Sequence, residues 1–489
     1  MKKTALVFAT LMAAAASASA TLDSLWMRTY GGPENDGFRS VIHSTDGGAV
    51  AVGYTYSFGP ANSNVFAVKV DDNGNTLWTR AYGGDGMDYG CGVCETGDGC
   101  YVIAGYTMSS GAGREDVYLL KINASGDTVW TRTYGGPESD EARAVCATAD
   151  GYVVVTGCTD SYGAGENDLY LLKVDPAGDT VWTRTYGSSR FEWGQSVCET
   201  QDNCYAACGT SDSLTLELDI YMVKVDADGN LIWENFYGEP AYSSPDWGMD
   251  VDLVADTALV VAGYVAIEIR DVSDACLVTV DLDGNETGGR KWRSSYYQYA
   301  NSVCPTHDGG QVFVGTTKLV ADQSNDLLLL KRLPSLGFVD IVTLGGAGND
   351  WGSCAAQASP GVYLIAGHTN SYGSGGFDGW LVAMAEPGAA ADGGLSTPGA
   401  FLASPVPNPL SDGTAMRFGL SAAGPIRLAV YDVSGRRVAL LEDGLREAGE
   451  HTARWDGRDD AGREVSPGIY VARLDAGAFS TVAKVVVLR

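Results

Sequence analysis

Between residues 21 and 385 the chain repeats a set of short apolar–polar runs, and residues 128 to 180 show one unit of it. Residues 128–134 alternate with a period of two. Trp130, Arg132 and Tyr134 fall on one face and Thr131 and Thr133 on the other, the pattern of a strand rich in aromatic and β-branched residues. Gly135-Gly136-Pro137 breaks the run. Residues 142–148 read as a second strand, Ala149-Asp150-Gly151 as a tight turn and residues 152–159 as a third strand, followed by a loop at 161–167. Residues 168–174 are apolar on both faces, which predicts a strand buried between layers. Asp175-Pro176-Ala177-Gly178 then turns the chain into the next Trp strand.

Trp26, Trp78, Trp130 and Trp182 open this phrase at a spacing of 52 residues. Weaker copies follow at Trp233 with Tyr237-Gly238, at Trp292 with Tyr296, and at Leu344-Gly345-Gly346, where Asp340 takes the Trp slot. A fixed period of this length marks a repeat architecture, and four short antiparallel strands per period is the blade pattern of a β-propeller. With the strands lettered A to D from the axis outward, A–B–C sets begin near Phe38, Gly90, Ala142, Gly194, Gly248, Ala300 and Trp351. D strands lie near Trp78, Trp130, Trp182, Trp233, Trp292 and Asp340, and the remaining one is residues 22–30. The expected fold class is therefore all-β, a seven-bladed β-propeller over residues 21–385 whose N-terminal strand completes blade seven and leaves no open edge. A Gly/Ala/Pro linker is expected at 386–400, and from residue 401 the period changes to short strands separated by turn clusters, which reads as a small β-sandwich over 401–489.

Residues 1–20 have the form of a secretory signal peptide: Lys2 and Lys3, an apolar run over 5–16, then Ala18-Ser19-Ala20. No other stretch approaches the length of a membrane span, so no transmembrane segment is expected. Charge separates the two halves. Residues 21–400 carry 19 bases against 50 acids, whereas residues 401–489 carry 11 of each, ten of those bases being Arg. So acidic a propeller repels phosphate backbones, and nucleic acid is not an expected partner.

The eleven cysteines lie between Cys91 and Cys354. Cys94 with Cys100, and Cys198 with Cys204, flank the A–B turn, where facing hairpin residues come within disulfide reach, so both pairs are expected to be bonded. The C–D turns, such as Asp71-Asp72-Asn73-Gly74-Asn75, have a spacing that admits Ca2+ but also the composition of a tight hairpin. No other cofactor or metal site is expected: the four His residues fall at unlike positions, and no GxSxG, HExxH or Walker sequence occurs. Function is expected on the longer, varied D–A and B–C loops of one face. There an acid recurs just past the YGG position, at Asp36, Asp88, Asp140, Glu192, Asp246 and Asp350. These six either ring the channel mouth as an acidic ligand-binding rim or cap their own loops by accepting backbone N–H bonds.

Pro405-Val406-Pro407-Asn408-Pro409, the phrase VYDVSGRRV (430–438), the phrase WDGRDDAGREVSPGIYVARL (455–474) and the tail 484–489 resemble the C-terminal sorting domain of type IX secretion cargo, and equally the immunoglobulin-like domain of flagellar hook-capping proteins. The resemblance covers residues 401–489 and implies an immunoglobulin-like sandwich, the type IX secretion machinery as a partner, and a secreted or cell-surface location reached through the periplasm. The propeller resembles a broad class of secreted bacterial propeller repeats. Varied loops on a rigid scaffold lead us to expect a binding module for a surface glycan or protein. The alternative is an extracellular carbohydrate-active hydrolase or lyase using paired rim carboxylates.

Overall fold

The computed structural model describes residues 22–60, 62–213, 218–238, 245–267, 272–291, 297–318, 324–333, 337–386, 389, 401–402, 410, 413–420, 423–432, 436–447, 449–476 and 479–487. The signal peptide expected at 1–20 lies outside these residues, as do Trp292, Pro405 to Pro409 and, but for Glu386 and Ala389, the expected linker. The fold is all-β, a seven-bladed propeller followed by an immunoglobulin-like sandwich.

Seven four-stranded antiparallel sheets form the propeller. The inner A strands are Asp36–His43, Asp88–Glu95, Asp140–Ala147, Glu192–Glu199, Asp246–Val254, Tyr297–Pro305 and Asp350–Ser359, and each touches the A strand of the blade on either side. In blade seven the outer strand is Asp23–Tyr30, which pairs antiparallel with the C strand Asp378–Ala385 from Asp23↔Ala385 to Tyr30↔Gly379. The C strands carry the core; Asn64–Val70 and Asp168–Val174 are buried at every position because both of their faces meet a neighbouring blade.

One bulge recurs in every A strand, between Phe38 and Ser40 in blade one and at the matching place in the others. It pushes an A-strand carbonyl onto the B strand. A Cβ on Gly157 would stand 1.8 Å from the carbonyl oxygen of Glu141, and one on Gly209 would stand 1.6 Å from that of Trp193. Only glycine fits there, which accounts for the glycine of every B strand.

Blades are latched to one another by the Trp-x-Arg-x-Tyr face of the D strand. Trp130 Nε1 donates to the carbonyl of Pro176 (3.1 Å), Arg132 Nη2 to that of Ala177 (3.2 Å) and Tyr134 Oη to that of Gly178 (2.5 Å). Three consecutive carbonyls of the next blade's C–D turn are thus met by one strand face. The same set joins Trp78, Arg80 and Tyr82 to Ala124, Ser125 and Gly126, and Trp182, Arg184 and Tyr186 to Ala227, Asp228 and Gly229. Gly178 has φ +84°, and a Cβ there would come within 3.3 Å of the Trp130 ring. The turn glycine is thus fixed by backbone conformation and by the indole lying over it. The first Asp of these turns serves the turn itself, since Asp71 Oδ1 accepts from the N–H of Asn73 (2.9 Å) and of Asn75 (2.8 Å).

A second fastening lies near the A–B turns. Lys69, Lys121, Lys173, Lys224 and Lys331 are buried in the C strands. Their ammonium groups pair with Asp46, Asp98, Asp150, Asp202 and Asp308 of their own blade's A–B turn. Lys69 and Lys173 also donate to the phenol of the next blade, Tyr101 and Tyr205, each at 2.9 Å. The Lys121 ammonium beside Asp98 holds its carboxyl well below the usual range. A buried ammonium without such partners would be strongly destabilising.

The C-terminal domain packs a three-stranded sheet (Phe401–Leu402, Thr414–Leu420, Gly449–Trp455) with a four-stranded one (Arg437–Arg446, Gly424–Asp432, Gly468–Ala476, Phe479–Val487). Its core includes Met416, Phe418, Leu428, Val430, Trp455, Leu474, Val485 and Val487.

Two expectations are corrected. Cys94, Cys100, Cys198 and Cys204 are free thiols. The hairpin register is the reason: Cys94 lies opposite Val102 and Cys198 opposite Ala206, while the carbonyls of Cys100 and Cys204 accept from the N–H of Thr96 and Thr200. The members of each pair are therefore offset along the ladder rather than facing. The D strand of blade five is Glu286–Lys291, and the residue opposite Thr279, in the Trp slot, is Gly288. Trp292, which the sequence pattern put in that slot, lies outside the described residues.

Gly178→Ala should lower the stability of the propeller by about 1–2 kcal/mol from left-handed strain alone, with further loss from contact with Trp130. Urea unfolding followed by tryptophan fluorescence reads this as a lower midpoint. Gly151→Ala, where φ is +85° but a Cβ would meet nothing within 4 Å, should show the strain without the added loss.

Candidate functional site

The six acids expected at the channel mouth are all buried, at 0–3 % exposure. Each opens its A strand, and Asp36, Asp88, Asp140, Glu192 and Asp350 accept from the loops on either side, with Asp36 Oδ1 and Asp246 Oδ1 buried without a hydrogen bond. Asp140 Oδ2 accepts from Gly136 N (2.7 Å) and Ser161 Oγ (2.7 Å), and Thr159 Oγ1 donates to its other oxygen. Asp88 accepts from Gly84 N, Ser109 Oγ and Thr107, and Asp350 from Gly346 N, Ser371 Oγ and Thr369. Asp36 holds Gly32 N and Ser57 Oγ, and Glu192 holds Ser188 N and Ser211 Oγ. In blade six the same register position, opposite Thr317, is filled by Gln298. An acid of the preceding blade's C strand lies alongside. A Cβ on Gly135 would sit 2.5 Å from Asp140 Oδ2 and 2.9 Å from Asp116 Oδ1, so this glycine makes room for two carboxyl groups, as Gly31, Gly187, Gly238 and Gly345 do after their own D strands. This is the loop-capping arrangement. None of the six presents a carboxylate to solvent.

The residues that do face the mouth come one position later in each A strand and opposite them in the B strand. The register pairs are Gly37↔Tyr54, Tyr89↔Tyr106, Glu141↔Cys158, Trp193↔Thr210, Trp247↔Tyr264, Tyr299↔Thr316 and Trp351↔His368. All the aromatic members are half-buried. Neighbouring rings touch within and between blades: Tyr54 and Tyr89 at 5.8 Å, Tyr89 and Tyr106 at 5.0 Å, Tyr264 and Tyr299 at 4.7 Å, and Trp351 and His368 at 4.7 Å between centroids.

Charge enters this aromatic collar at three points. Arg143, the bulged residue of blade three, pairs with Glu141 and is stacked between Tyr106 (5.7 Å) and Trp193 (5.1 Å). Arg39, the bulged residue of blade one, is exposed and lies over Tyr54 at 5.9 Å. Burial, and then the charge of Arg39, push His368 down to about 4, so its imidazole is neutral at neutral pH. Sequence reading singled out the acids and passed over the collar. The available signal was an aromatic residue immediately after the acid in DY, EW, DW and DW.

Deeper along the axis the A strands close up; a Cβ on Gly92 would come within 3.1 Å of the Ala144 backbone. Asp250 of blade five accepts from Ser196 Oγ of blade four (2.6 Å) and from Val303 N of blade six (2.9 Å), so one carboxyl group ties three inner strands. Two residues on, Asp252 occupies the register slot held by Cys94, Cys146, Cys198 and Cys304 in other blades. Burial, then the neighbouring Asp250, raise Asp252 to about 7. Among the described residues no group of three or more His, Cys, Asp or Glu is arranged to hold a metal ion.

Residues 408–478 match the family model of the FlgD Ig-like domain. No curated protein matches the chain. Among solved structures it is similar to PorZ of Porphyromonas gingivalis, described as an essential bacterial surface component of the type-IX secretion system, with 14% identity and TM-score 0.43 over 94% of this chain and 60% of that one. The chain thus spans less than two thirds of PorZ. It is also similar to a protein of unknown function from Dyadobacter fermentans (14% identity, TM-score 0.43, 74% of this chain and 99% of that one). A fungal alcohol oxidase of the AA5 family, in complex with copper, shows 13% identity and TM-score 0.44 over 96% of this chain and 100% of that one. Scores this low assign neither ligand nor reaction to this chain.

The folded protein holds the Asp252 proton more tightly than the unfolded chain, in which an aspartic acid ionises near pH 4. Stability should therefore fall as pH rises from about 4 to about 7, and stay low above that. Asp252→Asn should be more stable than the parent at about pH 8, by up to roughly 4 kcal/mol, with the difference vanishing near pH 4. Melting temperatures of both proteins across that range measure it.

Proposed function

We propose that this chain is a secreted or cell-surface binding module whose propeller takes its ligand at the aromatic collar around the channel mouth, and whose C-terminal domain directs export by a type IX secretion machinery. The observation that carries the binding reading is the collar itself. Half-buried Tyr, Trp and His rings from six of the seven blades converge on one end of the axis with Arg39, Arg143 and Glu141 among them. Concave, mostly apolar sites with a few convergent polar groups are where small ligands bind. A hydrolase or lyase working through paired rim carboxylates is disfavoured, because the rim acids are buried and already bonded to loop N–H and hydroxyl groups. The export reading is supported by the signal-like residues 1–20 and by the sorting-domain phrases of residues 430–474.

Trp193→Ala and Trp247→Ala should each weaken binding of a glycan ligand about tenfold or more, equivalent to about 1.4 kcal/mol, while leaving the rim hydrogen bonds in place. Glycan-array binding followed by titration calorimetry measures this, and affinity unchanged by both substitutions would overturn the location. For export, deleting residues 484–489 is not a clean test, because Val485 and Val487 belong to the domain core. Transfer of residues 401–489 to an inert periplasmic reporter is clean. The reporter should reach the surface or medium in a host with type IX machinery, and retention in the periplasm would overturn the proposal.

A further inference from the structure

Arg39 is the one charged group of the collar left without an opposite charge. Arg143 is neutralised by Glu141, whereas among the described residues no carboxylate lies within ion-pair distance of the Arg39 guanidinium. Its position is central rather than peripheral. Its charge is felt by Tyr54 of blade one, Tyr106 of blade two, Glu141 of blade three and His368 of blade seven, four blades that meet only around the axis. It stands exposed in a propeller half that carries 50 acids to 19 bases, where a surface arginine would ordinarily find a carboxylate.

Nε of Arg143 and Nδ1 of His368 are buried, so what the collar presents to a ligand is the exposed Arg39 and the faces of the half-buried rings. The collar therefore offers one exposed planar cation without an opposite charge and flat aromatic faces around it. A cationic ligand would meet Arg39 and be repelled. A neutral apolar ligand would leave the Arg39 charge in a partly desolvated place with nothing opposite it. An anion with an extended non-planar apolar face satisfies both features. Guanidinium and carboxylate match as two parallel N–H···O bonds, and aromatic rings bind the C–H face of a pyranose.

We infer that the collar binds a carboxylate-bearing sugar, a uronic-acid residue of an acidic polysaccharide, with its carboxylate on Arg39 and its ring face on the aromatic side chains. This rests on the proposal that the collar is the binding site, and it names the ligand class. The binding is non-covalent and needs no bond to be broken.

The test uses the full chain and a panel of galacturonate, glucuronate and mannuronate oligosaccharides, each beside its neutral methyl ester. Calorimetry should show binding of at least one uronate, with its methyl ester at least tenfold weaker. Arg39→Gln should weaken the uronate at least tenfold and leave the ester's weaker binding unchanged. Arg39→Lys, which keeps the charge and loses the fork, should fall between. Arg437→Gln, in the C-terminal domain, serves as the control. If esters bind as well as acids and Arg39→Gln has no effect, the acidic-sugar inference is overturned while the collar remains a binding site. If the uronate binds but neither Arg39→Gln nor Trp193→Ala weakens it, the acid is held elsewhere and both readings fall. If neither acids nor esters bind, both fall as well.

Discussion

The propeller depends on one repeated contact: an indole N–H, a guanidinium and a phenol from one strand face reaching three consecutive carbonyls of the next blade's turn. A C–D turn at a blade edge leaves those carbonyls pointing outward, and the neighbouring blade supplies their donors. The contact also fixes the angle between blades, because the Trp ring lies over a turn glycine that has no side chain to hold it off. The Lys–Asp–Tyr fastening works from the C strand inward, and the capped acids work at the opposite end. Blades two, three and four are thus each held to a neighbour at the outer strand, near an A–B turn and at the mouth, with apolar packing between. Blade five carries Gly288, and blade six Asp340, in the slot where the other blades carry Trp.

Much of this was legible in the sequence because the blade repeat is nearly invariant in its first half. Trp, Arg and Tyr at alternate positions announce a strand face, and the spacing of 52 residues announces the ring. What was not legible follows from register. A hairpin drawn from sequence puts Cys94 across from Cys100, but the turn between them closes on Thr96 and Cys100, which shifts the opposing residue to Val102. Blade five was phased by its tryptophan, whereas its C–D turn, which begins at Asp281 and forms normally, sets the phase. The C-strand lysines were visible in five of the seven repeats, yet their role appears only when the A–B turn aspartate is seen beside each one.

The mouth shows the same limit more sharply. The acids attracted notice because they recur, and they recur because every blade needs the same cap. The collar residues differ from blade to blade, Tyr89, Glu141, Trp193, Trp247, Tyr299 and Trp351, although they occupy one structural slot. In a repeat protein, a position that is uniform serves the scaffold common to all blades. A position that varies in residue type while staying aromatic or charged is free to be shaped by what lies opposite it across the axis.

The pairing of Asp23–Tyr30 with Asp378–Ala385 has a consequence for how the molecule comes into being. The N-terminal propeller strand has no partner until the last propeller strand has followed it. Six blades can assemble from contacts local in sequence, but the seventh joins the two ends of the ring and carries the longest loop-closure cost in the chain. Until then the A–B–C part of blade seven presents an open strand edge and the N-terminal strand is unpaired, the two surfaces most prone to join a second copy. The seam is therefore also a clock: the ring is finished only when the whole propeller is present.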